Sequence, residues 1–305
     1  MASSTQEELY VIKRNGKREE IKFDEITERI NYLAHLEPSI ASNVSTAKVA
    51  QKVIETIKPG IRTSELDQHA AETAAYMSTV HPAYDTLAAR LAISDLHKKT
   101  KDAFSEVVKL EYECVNPETG EPGPLVSEKF FDFVQSNAGA LDKMVDQSAD
   151  YQYDYFGFKT LGHSYLFKVN GEIVERPQHM ILRLAVALYM PNLKSIEEAY
   201  QNMSALWYTH ATPSLYNAGR PRQEMHSCFL VDLLQDDSIE AIYDCLKSVA
   251  QISKGAGGVG LAISDIRAFG SYIRGTGGRS NGVVPMLKVF DATACYVDQG
   301  AVIFI

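Results

Sequence analysis

Nine of the nineteen glycines fall between Gly255 and Gly282, so this stretch needs close backbone approach or positive φ angles at many points. The string GAGGVG at 255–260 has the form G-x-G-x-x-G. It follows a helical pattern and opens an apolar run, however, which reverses the strand-to-helix order of a dinucleotide-binding turn, and that reading is set aside. The second cluster, GSYIRGTGGRSNG at 270–282, follows a strand pattern and precedes a helical one, with Arg267, Arg274 and Arg279 in or beside it. Backbone amides and three guanidinium groups there suit a phosphate at a helix N-terminus, and this chemistry is preferred to a merely long loop.

Other candidates are more even on their residues alone. Asp237 and Ser238 serve equally well as helix caps or as ligands to a polar group. Lys13, Arg14, Lys17 and Arg18 surround the Asn15-Gly16 dipeptide and read, in isolation, as the solvated basic edge of a hairpin. Cys114, Cys228, Cys245 and Cys295 lie far apart with no C-x-x-C spacing, so neither a zinc site nor a disulfide framework is expected, and no metal site is assigned. For each thiol the ordinary reading is a small buried hydrophobe in a reducing compartment.

The elements that must position these residues follow from periodicity. YVIKRNGKREEIKF reads as a β-hairpin over 10–23, because Asn-Gly readily takes the positive φ angles of a tight hairpin turn. Residues 1–9 are polar and expected to be disordered. From Asp24 onward the pattern is helical, with Ile26, Ile30 and Leu33 on one face and Val49, Val53 and Ile57 on another. Pro59-Gly60 is expected to end one helix, Thr63 or Ser64 to cap the next, and the segment after Pro82 to run as a helix through Phe104. NPETGEPGPLVS, after Val115, reads as a Pro/Gly-rich surface segment leading to a second, mostly helical region.

Beyond Pro213 the pattern alternates. HSCFLVDL reads as a buried strand, the segment from Asp237 or Ser238 as a helix, VGLAIS as a strand, VVPMLKVFDATACYV as a helix, and AVIFI as a third strand. That order implies a parallel sheet or barrel left unfinished at three strands.

With 45% hydrophobic and 23% charged residues the chain has the composition of a globular protein with a real core. A formal charge of −9 argues against a partner nucleic acid, whose backbone is bound through clustered Lys and Arg. No apolar run approaches the roughly 18–20 residues that span a bilayer, and MASSTQEELY lacks a signal-peptide core. A soluble, cytoplasmic protein is expected, with no membrane partner.

Several strings, taken together and in order, carry a family resemblance: VIKRNGKREEIKFDEI, ELDQHAAETAA, YFGFKTLGHSYL, THATPSLYNAG, SCFLV, DDSIEAIYD, SKGAGGVG and NGVVPML. The chain resembles the class I ribonucleoside-diphosphate reductase large subunit from about residue 10 to Gly300. The resemblance implies an α/β protein overall: an ATP-cone of hairpin plus helices over 10–100, a mostly helical region over 101–213, and over 214–305 the incomplete start of a ten-stranded α/β barrel. It implies that Lys13, Arg14, Lys17 and Lys98 lie near the phosphates of ATP or dATP, which reverses the solvated-edge reading. Asp67 would serve discrimination or signalling there, acting at the site more than in the fold.

The resemblance further implies that Asp237, Ser238, Lys254 and Arg267 bind a nucleoside triphosphate specificity effector at a homodimer interface. Thr212, Ser227, Gly257 and Gly258 would lie near the substrate nucleotide. Cys228 would be a redox-active thiol, reducing at the 2′ carbon through a disulfide with a second cysteine, whereas Cys114, Cys245 and Cys295 match no catalytic position. Implied partners are a radical-generating small subunit, which holds the radical cofactor, and thioredoxin or glutaredoxin; the effectors would come with Mg²⁺. The parent reaction would reduce ribonucleoside diphosphates to deoxyribonucleotides for DNA synthesis. The radical cysteine of that reaction has no match in this sequence, and the text departs from the family after YVDQG. The expectation is therefore a chain that binds nucleotides without turnover, the alternative being a non-catalytic nucleotide-sensing module.

Overall fold

The computed structural model describes residues 10–232, 237–255 and 257–297. The expected disordered start at 1–9 and the expected strand AVIFI lie outside them. The described residues fall into two compact units, one within Met1–Pro124 and Phe131–Leu182, the other within Leu125–Phe130 and Arg183–Ile305.

In the first unit β1 (Tyr10–Ile12) and β2 (Arg18–Glu20) form the expected antiparallel hairpin, with Gly16 at φ +79° in the turn. A third strand, β3 (Ile61–Arg62), pairs parallel to β1, giving the order β2-β1-β3. This corrects the reading of Pro59-Gly60 as a helix end. The preceding helix stops at Glu55, and Gly60, at φ +81°, donates its N–H to the Tyr10 carbonyl at 2.8 Å. Positive φ there turns the chain back along β1.

Helices α1 (Phe23–His35), α2 (Pro38–Ala41), α3 (Thr46–Glu55), α4 (Thr63–Tyr76) and α5 (Ala83–Lys99) back this sheet. Their inward stripes supply Ile30, Leu33, Val49, Val53, Leu87 and Leu91 to one apolar cluster under Val11 and Ile21. Each such buried aliphatic side chain contributes roughly 1.5–3 kcal/mol over leaving it exposed. The cap of α4 is not the Thr63 or Ser64 hydroxyl: the Glu65 carboxylate accepts the Arg62 N–H at 2.8 Å from inside the first turn.

Nor does α5 run through Phe104. It ends at Lys99, where Thr100 becomes extended, and buried Arg176 clamps the end by donating to the His97 carbonyl at 2.9 Å and to Thr100 O and Oγ1 at 3.0 and 2.8 Å. Free C-terminal carbonyls of a helix need such donors. Beyond lie α6 (Phe104–Tyr112), α7 (Glu128–Ser136), α8 (Ala138–Met144), α9 (Tyr155–Ser164) and α10 (Pro177–Tyr189). Between the last two, β4 (Lys168–Val169) and β5 (Glu172–Ile173) make a second hairpin, turned by Asn170 and Gly171 at φ +52° and +81°.

In the second unit α11 (Leu193–Ser204) and α12 (Thr212–Asn217) precede a βαβα run: β6 (Cys228–Asp232), α13 (Ile239–Lys254), β7 (Gly258–Ala262) and α14 (Val283–Val297). The two strands are parallel, Cys228 opposite Gly258 and Asp232 opposite Ala262. No barrel is closed among the described residues. The expectation of a buried strand at HSCFLVDL is corrected: β6 alternates between exposed and half-buried positions, and Leu230 is 96% exposed. One sheet face packs Val231, Val259 and Leu261 toward Cys245, Val249 and Phe290, while the opposite face has no covering layer among the described residues.

Candidate nucleotide sites

Asp67 on α4 is buried, 5% exposed, and faces three cations. Arg14 from the hairpin donates to its Oδ2 at 2.7 Å, Arg29 of α1 donates to Oδ1, and the Lys98 ammonium of α5 stands 3.6 Å away. Burial opposes ionisation of Asp67, yet the hydrogen bonds and charge of Arg29, with Arg14 and Lys98, hold its pKa below the usual carboxylate value. Lys98 shifts downward, chiefly through burial, with Arg29 and Arg14 adding repulsion that Asp67 only partly offsets. Burial likewise works against the Arg14 charge, but Asp67 and Asp95 hold its pKa raised.

This cluster walls a cavity of about 190 Å³ whose apolar side is Val11, Ile21, Ile26, Leu66 and Leu91. Lys13, Arg14, Thr63 and Lys98 also line a groove of about 590 Å³, where Arg62 and Lys99 join them. An apolar slot opening onto a cationic groove is the arrangement a base with a phosphate tail requires. Of the cone residues expected from the sequence, Lys13, Arg14, Asp67 and Lys98 come together. Lys17 does not: it is exposed on the turn and lines neither cavity. Asp67 is also more deeply built into the fold than expected. Arg29 and Asp95 were missed; Arg29 neighbours Ile30 on the inward edge of α1, a position where a charge needs a partner.

In the second unit, Ser238 caps α13 by accepting the Ala241 N–H at 3.2 Å, and Asp237 is ion-paired with Arg267, which also donates to the Asp237 carbonyl at 3.0 Å. Lys254 closes the same helix at its other end, about 24 Å from Ser238 at 1.5 Å per residue. Within one chain it is therefore remote from Asp237 and Arg267. The glycine loop folds on itself: Gly270 N–H donates to the Ser280 carbonyl at 2.8 Å, and Arg279 donates to Gly270 O at 2.9 Å. Arg267 and Arg279 thus satisfy protein groups in this conformation, while Arg274 is exposed.

Ser227, Cys228, Gly257 and Gly258 meet at the parallel pair. Gly258 N–H donates to the Ser227 carbonyl at 2.8 Å, and a Cβ at 258 would lie 3.9 Å from Cys228 Sγ. A Cβ at Gly257 would come within 2.8 Å of Ile252 and Phe229, so glycine is required by packing alone. Thr212 opens α12, which is tied to the approach to β6 by Ser214 Oγ donating to Met225 O at 2.7 Å and Asn217 Nδ2 to Glu224 O at 2.9 Å. Cys228 is exposed, contrary to the small-hydrophobe reading, as is Cys295; Cys245 is buried. Among the described residues no group of three or more His, Cys, Asp or Glu is placed to hold a metal ion. No helix among them is long and apolar enough to cross a membrane.

Comparison with known proteins gives three family matches along the chain. The ATP cone domain matches residues 9–99, the all-alpha domain of ribonucleotide reductase 151–223, and the ribonucleotide reductase barrel domain 226–302. The chain is 52% identical over 293 residues to the ribonucleoside-diphosphate reductase large subunit of Dictyostelium discoideum, covering 96% of this chain and 34% of that protein. It is 50% identical over 293 residues to large chain 2 of Saccharomyces cerevisiae, covering 96% and 33%, and 51% identical over 292 residues to the large subunit of Arabidopsis thaliana, covering 96% and 35%. The chain spans about a third of the length of the curated relatives it matches. With the hairpin-and-helix cone, the helical region and the opening strands of the barrel in the family's order, the chain belongs to the ribonucleotide reductase large-subunit family.

Proposed function

We propose that this chain senses adenine nucleotides for a ribonucleoside-diphosphate reductase, with ATP or dATP in the slot beside Asp67. The observation that carries this is the junction of an apolar slot with a groove lined by Lys13, Arg14, Arg62, Lys98 and Lys99, in a chain whose net charge is −9. The base lies against Val11, Ile26 and Leu91, and the phosphates, with their Mg²⁺, lie against Lys13, Arg14 and Lys98. Asp67 holds Arg14, Arg29 and Lys98 in place and reports whether phosphate has drawn them away.

Asp237, Ser238 and Arg267 form part of a second effector site, completed by Lys254 across a homodimer, since one chain places Lys254 at the wrong end of α13. Thr212, Ser227, Gly257 and Gly258 border the substrate nucleotide, where Cys228 supplies one thiol of a reducing pair. The complete reaction reduces a ribonucleoside diphosphate, with a radical-bearing small subunit and a thiol carrier such as thioredoxin or glutaredoxin, in the cytoplasm. The residues present here support binding and one redox thiol.

Isothermal titration of the 305-residue chain with Mg²⁺-ATP tests the cone reading. A Lys13→Glu, Lys98→Glu double variant with unchanged circular dichroism is expected to lose at least tenfold in affinity. Undiminished ATP binding to that variant, at a site that also remains in Asp237→Ala, would remove the nucleotide from the slot.

A further inference from the structure

A third cavity, of about 380 Å³, lies between α4, α5, α9 and the β4-β5 hairpin. Its floor is apolar and partly aromatic, built from Ala71, Ala92, Leu96, Tyr155 and Phe158, and its rim carries Lys99, Lys159 and Lys168 beside Asp95 and Glu172. Lys168 is held over α9 by donating to the His163 carbonyl at 2.8 Å, and Lys159 Nζ lies 5.9 Å from the Tyr155 ring centroid. The volume falls in the range of small-molecule sites, roughly 300–1,000 Å³, and the lining has their pattern of apolar floor with few polar groups.

Charge decides the class of ligand. The basic groove beside the slot sets five cations against Glu172 and suits a polyphosphate. The outer cavity sets three lysines against two carboxylates, so a single phosphate, carrying about −1.5 to −2 as in a phosphate monoester, matches its excess better than a polyphosphate tail. The aromatic floor suits a flat ring.

The two regions are also joined. Lys99, Glu172 and Ile173 line both the outer cavity and the basic groove. Asp95 is gripped from both sides, by Arg14 at 2.5 Å and by Lys99 at 2.5 Å, so charges alternate along Asp67, Arg14, Asp95 and Lys99. A phosphate that draws Lys99 off Asp95 leaves that carboxylate to hold Arg14 more firmly, away from any phosphate at the slot.

We propose that the outer cavity binds a nucleoside monophosphate and that its occupancy weakens nucleotide binding at the Asp67 slot. The coupling half rests on the ATP reading of the slot; binding at the outer cavity does not.

The test is titration of the 305-residue chain with AMP, with ATP, and with inorganic phosphate as a control. AMP is expected to bind in wild type and in Lys13→Glu, Lys98→Glu, and to lose at least tenfold in Lys159→Glu, Lys168→Glu. Ala92→Phe, which fills the floor without changing charge, is expected to lose as much. Saturating AMP should weaken ATP by about fivefold, the low end of ordinary coupling, in wild type and not in the Lys159→Glu, Lys168→Glu variant. No AMP binding, AMP binding indifferent to Lys159, Lys168 and Ala92, or inorganic phosphate binding as well as AMP would overturn the site. AMP lost only with Lys13 and Lys98 would assign it to the slot instead. Unchanged ATP affinity in saturating AMP would overturn the coupling. ATP titrated alone into the slot variant judges the slot separately.

Discussion

Arg14 on the first hairpin donates to the carboxylate of Asp67, 53 residues later on α4, at 2.7 Å. The pair ties the edge of the small sheet to the helical layer and sets one buried anion against three cations. That imbalance makes Asp67 a structural residue and, on the proposed reading of the slot, the one that senses phosphate.

Asp67→Asn keeps the shape and removes the charge, leaving Arg14, Arg29 and Lys98 to repel one another. Loss of one partner from a buried pair costs about 3–5 kcal/mol; since Arg14, Arg29 and Lys98 are partly open to solvent, we expect the lower end, about 3 kcal/mol. A triphosphate can neutralise the same cations. Thermal melts should therefore show a lower Tm without nucleotide and a larger rise with ATP than wild type; an equal or smaller rise would separate Asp67 from the phosphate site.

His179 gives a prediction in pH. It is fully buried, and burial, with Arg176 beside it, lowers its pKa from 6.5 to about 3. Its Nδ1 accepts the Arg176 N–H at 3.4 Å and its Nε2 faces the Asp102 carbonyl at 3.1 Å, so a proton on Nδ1 would meet another donor. The unfolded chain binds this proton below about pH 6.5 and the native chain does not, so the stability tied to neutral His179 is complete above that pH. It is lost as pH falls toward 3, by about 2 kcal/mol at pH 5. Urea titrations at pH 7 and pH 5 should show that loss in wild type and a smaller one in His179→Gln. A raised pKa for Asp150, caused by burial, acts with the opposite sign, which is why the comparison with the variant is needed.

Cys228 is exposed while Cys245 is buried, its thiol pKa raised by burial and by Asp232. Cys228→Ser should therefore change stability by no more than about 0.5 kcal/mol, as for other exposed positions. Native-state alkylation read by mass spectrometry should modify Cys228 and Cys295 well before Cys245. A cost above about 1 kcal/mol, or slow labelling of Cys228, would return this thiol to a packing role.

The local elements were legible because their causes are local. Asn15-Gly16 dictates the first turn, the spacing of Ile30 and Leu33 dictates the inward face of α1, and Ser238 marks the start of α13 through its own hydroxyl. The second hairpin carries the same Asn-Gly signal at Asn170-Gly171 but sits inside helical sequence. The strand Ile61–Arg62 has no such signature, since two residues become a strand only when β1 offers a free edge. The resemblance to the reductase family pointed to Lys13, Arg14, Asp67 and Lys98, which the fold brings together, to Lys17, which lines neither cavity, and separately to Cys228 and Gly258, which the strand register places opposite one another. What only the tertiary structure decided is which charges face one another. Arg29 with Asp67, Arg14 with Asp95 and Arg267 with Asp237 all depend on how distant segments pack, and no local periodicity carries that information.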